Sequence, residues 1–230
     1  MALHTDLIPE DFAALRLTMV ESQIRTFDVT DHAVIGRFLD VPREDFVPAA
    51  VRGLAYSDTA LKIAAGRRLL TPMVLARMVQ AAGIKPGDHV LDIAPGTGYS
   101  TAILAGLTPK VTALESDPEL QALTKANLAA AGFTDVPVFG GLLREGVASA
   151  APFDVIFVNG AVEAHLDHLT AQLRDCGKLV TLWRTAGAAN QHACRAVLFE
   201  KNSGAVSRRD LFDAAGPLLD AFRAEPAFVF

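Results

Sequence analysis

The residues with the clearest chemical consequence lie in one short stretch, Val90-Leu91-Asp92-Ile93-Ala94-Pro95-Gly96-Thr97-Gly98-Tyr99, and in a second acid, Glu115, twenty-three positions beyond Asp92. The stretch runs from a β-rich segment straight into a helix-like one. A tight turn in that context carries backbone N–H groups up to a ligand, and glycine removes the Cβ that would block the approach. Asp92 stands at the carboxyl end of its strand, where ligands of open α/β sheets bind. Glu115 ends the next strand in Leu114-Glu115-Ser116, where a carboxylate accepts hydrogen bonds from both hydroxyls of a ribose. Either acid alone reads as a solvated strand end or a helix cap. Together, on successive strands around Gly96-Thr97-Gly98, they predict a nucleoside site.

Spacing alone says less about which nucleoside, and charge narrows the choice. A dinucleotide needs G-x-G-x-x-G so that its pyrophosphate sits on a helix N-terminus, and Ala94-Pro95-Gly96-Thr97-Gly98-Tyr99 does not match. Asp92 would set negative charge beside a diphosphate, whereas it tolerates the ammonium of a methionine moiety. S-adenosylmethionine is therefore the expected cofactor, in preference to NAD.

The elements that must position these residues follow from the hydrophobic pattern. From Pro86 onward, β-rich runs at 89–94, 110–116, 136–140, 153–159 and 178–183 alternate with helix-like runs at 99–107, 118–131 and 162–174, the signature of βαβ units. Further strands are predicted at 196–201, 207–213 and 227–230, with Asn202-Ser203-Gly204 as a hairpin turn that makes the sheet's ending antiparallel. Before Pro86 the chain reads as mostly helical, at 9–25, 31–39 and 72–83, with Thr30-Asp31 and Thr71-Pro72 as starts. The expected fold is α/β: a doubly wound, mostly parallel seven-stranded sheet of the Rossmann-like methyltransferase type. Residues 1–85 are expected to form a helical cap on the 86–230 core.

Composition excludes other classes. At 230 residues the chain suits one domain with a modest extension. Charged residues recur too often for an 18-residue apolar run, so no membrane span is read, and the N-terminus lacks the pattern of a secretory signal. The cytoplasm is the default location. A net charge of −5 argues against a nucleic-acid partner, because that affinity rests on clustered Lys and Arg. Cys176 and Cys194 suit free thiols in a reducing compartment. Glu163, His165 and His168 share a helix spacing, but a metal needs three or more convergent ligands, and no metal site is expected. Trp183, Phe27, Phe46 and Tyr56 read as packing residues.

Several blocks in order resemble the protein-L-isoaspartate O-methyltransferases over nearly the whole length. Met19-Val20-Glu21-Ser22-Gln23-Ile24 is similar to that family's opening helix, and Val41-Pro42-Arg43-Glu44-Asp45-Phe46-Val47-Pro48 to its cap motif. Ala55-Tyr56-Ser57-Asp58, Pro72-Met73-Val74-Leu75-Ala76-Arg77-Met78, Ala151-Pro152-Phe153-Asp154, Gln172-Leu173 and Gly177-Lys178-Leu179-Val180 follow in the expected places. The resemblance implies methyl transfer from S-adenosylmethionine to a free carboxylate of a damaged protein or peptide, with cofactor contacts from Asp92, Ala94, Pro95, Gly96, Thr97, Gly98, Glu115, Ser116, Gly141, Leu142 and Asn159.

The chain departs from the family's pattern on the ligand side. Where the family has a Gly-Gln-Thr-Ile-Ser substrate loop, this chain has Gly66-Arg67-Arg68-Leu69-Leu70. Leu70 takes the serine position, and Thr71 beside it is the nearest hydroxyl and the candidate catalytic residue. Arg67, Arg68, Leu69 and Leu70 are then the substrate-binding candidates, the two arginines either as a bidentate clamp on an anionic substrate or as a solvated loop. The family's Gly-Asp-Gly, whose acid accepts from the adenine amino group, is Gly140-Gly141-Leu142. Its Thr-Ala-Ala-Ala is Asn159-Gly160-Ala161-Val162, and the first glycine of the turn is Ala94. An alternative reading is a non-catalytic relative that binds the nucleoside or a partner protein in the same cleft. The oligomeric state is left open.

Overall fold

Local signals set the N-terminal elements. In the computed structural model, which describes residues 11–186 and 193–225, α1 (Phe12–Met19) starts at Asp11, whose side chain accepts from the Ala14 N–H. It runs on as one wide turn, Val20–Ile24, that buries Val20 and Ile24. Helix α2 (His32–Asp40) is capped by Asp31, which accepts from both Ala33 and Val34 N–H groups. Next comes a two-stranded antiparallel hairpin, β1 (Leu61–Ala64) and β2 (Arg67–Leu69). Helix α3 (Pro72–Ala82) has Thr71 as its cap, proline in its first turn, and Gly83 at φ 62° as its stop.

The remaining strands form one seven-stranded sheet: β3 (His89–Ile93), β4 (Lys110–Glu115), β5 (Val138–Gly140), β6 (Phe153–Val162), β7 (Leu173–Trp183), β8 (Ala193–Asn202) and β9 (Ala205–Ala215). Their order is β5-β4-β3-β6-β7-β8-β9, with β8 and β9 antiparallel and the rest parallel. Helices α4 (Tyr99–Ala105), α5 (Pro118–Ala130) and the short α6 (Asp167–Ala171) cross between strands. Because β4 and β5 lie to one side of β3, and β6 and β7 to the other, the strand order reverses beside β3. That reversal opens a crevice at the carboxyl ends, where such sheets bind ligands.

Both faces of the sheet are covered, as a parallel sheet requires. Val90, Val155, Phe157, Val180 and Leu182 point into a cluster with Met19, Ile24, Phe38 and Tyr99, while Leu91, Ile93, Ile156, Val158 and Leu179 point to the other side with Leu219 and Phe222. The period-two alternation thus assigns the N-terminal helices to one face.

Before Pro86 the chain is mostly helical, with 61–69 as an added hairpin, β1–β2. Two expectations need correction. The helix expected at 162–174 shrinks to α6: Val162 still belongs to β6, and Arg174 already lies in β7, whose register with β6 shifts between Phe153 and Val155 to accommodate 174–177. Phe27, read as packing, is 43% exposed. The strand expected at 227–230 lies outside the described residues.

Lys201 reaches from β8 to the point where α6 becomes β7. Its Nζ donates to the carbonyls of Thr170, Ala171 and Leu173 at 3.3, 3.2 and 2.8 Å, covering carbonyls that a helix end leaves without partners. Lys201→Met keeps the apolar stem and removes the donor. We expect it to lower unfolding stability by about 1–2 kcal/mol in urea titrations; an unchanged midpoint would show that water replaces the ammonium at no cost.

Candidate functional site

Strand β3 delivers Asp92 to the crevice, but the side chain turns inward. It is fully buried and accepts from Ser100 Oγ at 2.8 Å and Thr101 Oγ1 at 2.6 Å, both in the first turn of α4, and from Asn159 Nδ2 in the carboxyl half of β6. Asn159 also donates to the Ile93 carbonyl at 3.1 Å. Burial pushes the Asp92 pKa up to about 6; the three donors favour the anion and offset only part of that, and the charge of Glu115 adds to the rise. Asp92 and Asn159 therefore tie the ends of β3 and β6 to α4 and shape the turn from behind.

The turn itself needs left-handed backbone at three places: Ala94 (φ 59°), Gly96 (φ 69°) and Gly98 (φ 96°). Ala94 adopts there a conformation that glycine takes more readily. Thr97 Oγ1 donates to the Phe46 carbonyl at 2.5 Å, Thr124 Oγ1 to the Gly96 carbonyl at 2.8 Å, and Asn127 Nδ2 to the Thr97 carbonyl at 2.9 Å. The turn is thereby held between the N-terminal segment and α5, and every residue from 91 to 100 is buried.

Glu115, at the end of β4, is the centre of the site. It is 0% exposed and accepts from the backbone N–H groups of Gly96, Ser116 and Asp117 at 3.1, 2.8 and 3.1 Å. The Arg67 guanidinium meets it as a fork, Nη1 to Oε1 and Nη2 to Oε2, both at 2.7 Å. Beside Arg67 on the hairpin, Ile63 covers the turn: a methyl group built on Gly96 would stand 2.3 Å from Ile63 Cδ1.

The other candidates fall at different distances from this centre. Arg68 is exposed, and its Nη1 donates to the Ala60 carbonyl at 3.0 Å. Leu69 and Leu70 are buried, and the Leu70 carbonyl accepts from Arg43 Nη2 at 2.8 Å. Thr71 Oγ1 accepts from the Val74 N–H at 3.4 Å as the cap of α3. Ser116, Gly141 and Leu142 are exposed at the ends of β4 and β5, and Gly141 N–H donates to the Glu115 carbonyl at 3.3 Å. Ser116 and Leu142 line a cavity of about 340 Å³ that Arg144, His165 and Asp220 also border. The structure thus gathers 92–98, Glu115, Ser116, Gly141, Asn159 and Arg67; Arg68, Leu69 and Leu70 line a small pocket together with Ala94, Pro95 and Asn159, and Thr71 caps α3.

Two features escape a linear reading. One is the Arg67–Glu115 pair, formed across 48 positions. The other is Arg43, a fully buried guanidinium with no carboxylate against it; it donates to the carbonyls of Ala55 and Leu70 and lies 4.8 Å from the Tyr99 ring. Burial lowers its pKa, and the Tyr99 hydroxyl counters part of that. Its place in the Val41-Pro42-Arg43 motif was the available signal. Glu163, weighed above for metal, pairs with Arg184 at 2.8 Å and accepts from the Ala224 N–H at 2.9 Å, holding the C-terminal segment. Among the described residues, no group of three or more His, Cys, Asp or Glu side chains converges.

Comparison with known proteins places this geometry in context. A family model described as protein-L-isoaspartate(D-aspartate) O-methyltransferase matches residues 16–212. A protein-L-isoaspartate O-methyltransferase of Koribacter versatilis (strain Ellin345) is 37% identical over 213 residues, 93% of this chain and 93% of that protein. One from Methylorubrum extorquens (strain PA1) is 40% identical over 170 residues, 74% of each. Among solved structures, a candidate protein-L-isoaspartate O-methyltransferase of Plasmodium falciparum in complex with S-adenosyl-L-homocysteine superposes with a TM-score of 0.74 at 19% identity, covering 92% of this chain and 99% of that one. The last likeness concerns the fold.

The Asp92 environment carries a pH signature. Its folded pKa of about 6 lies above the ordinary 3.8, so folding favours the protonated form. The stability it contributes is full below the ordinary pKa and is lost as pH rises through the folded one. Relative to Asp92→Asn, the native protein is expected to lose roughly 2–3 kcal/mol between pH 4 and pH 7. Urea titrations of both proteins across that range provide the check, and a difference that is flat with pH would mean that the three donors fully offset burial.

Proposed function

The chain belongs to the protein-L-isoaspartate(D-aspartate) O-methyltransferase family, and from that premise we propose that it transfers a methyl group from S-adenosylmethionine to a free carboxylate of a protein or peptide, as in the repair of isoaspartyl damage. The observation that carries this reading is Glu115, a carboxylate with two acceptor oxygens at the end of the strand that follows the glycine turn. The residues present fit an adenosine ligand: Glu115 for the ribose hydroxyls, a glycine at 96 that brings no Cβ to the turn, and exposed Ser116 and Leu142 beside a cavity with room for a flat base. Asp92 and Asn159 serve that site indirectly, by fixing the turn.

When bound, the sulfonium cofactor supplies an electrophilic methyl group. The acceptor needs no general base, because a carboxylate with a pKa around 4 is already ionised at neutral pH. The protein's work is then positional: to orient the acceptor oxygen in line and to exclude water. Arg68, exposed beside the turn, is suited to orienting an anionic peptide from the side. It must not pair with the reacting oxygen, since that would lower its nucleophilicity. Thr71 is the nearest hydroxyl to the altered serine position, and its capping bond to Val74 is long enough, at 3.4 Å, to be exchanged. We place the protein in the reducing cytoplasm, in keeping with two free cysteines and the lack, among the described residues, of a helix long and apolar enough to cross a membrane. The net charge of −5 keeps nucleic acid off the partner list.

One observation favours a second reading. Leu70, at the family's serine position, is 3% exposed and has its carbonyl on Arg43, so the loop offers no hydroxyl where the family has one. In that reading the chain binds the nucleoside or a partner protein without isoaspartyl transfer.

Labelled methyl transfer to an isoaspartyl peptide, run beside calorimetry with S-adenosylhomocysteine, separates the readings. The proposed function expects base-labile label on the isoaspartyl peptide and none on its aspartyl isomer. Binding without transfer favours the second reading; neither binding nor transfer sinks the cofactor assignment. A further variant tests the adenine end. Gly141 has ordinary backbone, and a Cβ there would stand 3.6 Å from Leu114 Cδ1 in normal contact, so an acid fits. Gly141→Asp should tighten S-adenosylhomocysteine binding by about 1 kcal/mol, several-fold in affinity, and a normally folded variant that binds no tighter would mean the adenine is held elsewhere.

A further inference from the structure

The ribose acceptor is already engaged. Both Glu115 oxygens are in the fork of Arg67, and the pair is sequestered, with side-chain exposures of 13% for Arg67 and 0% for Glu115. The same hairpin lays Ile63 against Gly96, at the point where a glycine turn must stay open for a ligand's close approach. An adenosine ribose and the Arg67 guanidinium are therefore rivals for one carboxylate.

The base of the hairpin is seated in the core through Leu61 and Leu69, and its outer part is the part that can move. Strands β1 and β2 pair only with each other and form a sheet separate from the seven-stranded one. Ala65 and Gly66 at the tip are exposed, and a Cβ built on Gly66 (φ 68°) would meet nothing within 4 Å. If Arg67 leaves, Glu115 keeps its three backbone donors from Gly96, Ser116 and Asp117, so the anion remains partly satisfied and available.

We infer that the β1–β2 hairpin is a latch on the nucleoside site: Arg67 holds the ribose acceptor Glu115, Ile63 covers Gly96, and cofactor binding and hairpin displacement are one event. This rests on the cofactor reading of Glu115 given above. The apparent affinity of the protein is then its intrinsic affinity reduced by the fraction of molecules with the latch open. Removing the latch raises that fraction.

Calorimetric titration of S-adenosylhomocysteine into the wild-type protein, Arg67→Ala, Ile63→Ala and Glu115→Gln tests it, with hydrogen exchange over residues 61–69 as the second readout. The expected result is at least tenfold tighter binding for Arg67→Ala, a smaller gain for Ile63→Ala with the ion pair intact, and weaker binding for Glu115→Gln. Ligand should also speed exchange of the hairpin amides in the wild-type protein. If Arg67→Ala does not fold, Ile63→Ala and the exchange experiment decide. Wild-type binding that is unchanged or weakened by Arg67→Ala and Ile63→Ala, with hairpin exchange unaltered or slowed by ligand, overturns the latch and leaves the cofactor reading standing. No binding by any variant overturns both.

Discussion

The Glu115 carboxylate is the constraint on which the rest of the site depends. A charge with no exposed surface is tolerated only when its lone pairs are met by donors, and here five N–H groups from three parts of the chain meet them. Gly96 brings the turn after β3, Ser116 and Asp117 bring the start of α5, and Arg67 brings the hairpin. One carboxylate thereby sets the distance between successive βα connections and decides where the N-terminal segment rests. The backbone donors come with the fold. The guanidinium is the separable member, because it belongs to a piece of structure that shares no strand pairing with the main sheet.

A second buried cation makes that separation possible. Arg43 holds the carbonyls of Ala55 and Leu70, one on each side of the hairpin, while the Tyr99 ring lies 4.8 Å from its guanidinium. The stems of the hairpin are thus anchored by an arginine deep in the core, and its tip is held by an arginine at the mouth. With Thr97 also bonded to the Phe46 carbonyl, the N-terminal segment and the glycine turn are a single packed unit on one face of the sheet, which is why Met19 and Phe38 share a core with Tyr99 and Phe157.

Much of this was legible in the residues. The alternation of β-rich and helical runs yields the strands of the main sheet within a few positions of their ends, and the pair of acids around Gly96-Thr97-Gly98 marks the crevice. What was not legible has physical causes. The hairpin strands are four and three residues long and carry Lys62, Arg67 and Arg68, so they lack the apolar alternation that identifies a strand. The run at 162–174 has helical composition, yet its ends are drawn into β6 and β7 by sheet pairing, tertiary contact overriding local preference. Asp92 reads as a ligand contact because strand-end acids often are. Only the fold reveals that Ser100, Thr101 and Asn159 all aim at it.

The altered loop gains its meaning from these contacts. Leu70 is 3% exposed and lines a small pocket beside the turn with Ala94, Pro95 and Asn159. Its side chain joins the core cluster and offers no hydroxyl, and its carbonyl is fixed on Arg43. The same hairpin carries Arg67 to Glu115 in the fork geometry that guanidinium and carboxylate share. Positions 67 and 70 therefore act on the same hairpin: Leu70 sits at its base with its carbonyl on Arg43, and Arg67 fastens its tip to Glu115. Neither alone would hold the hairpin on the turn, since an ion pair so well shielded recovers its desolvation cost only when its geometry is enforced from outside the pair. The hairpin is thereby seated in the core at one end and fastened to Glu115 at the other.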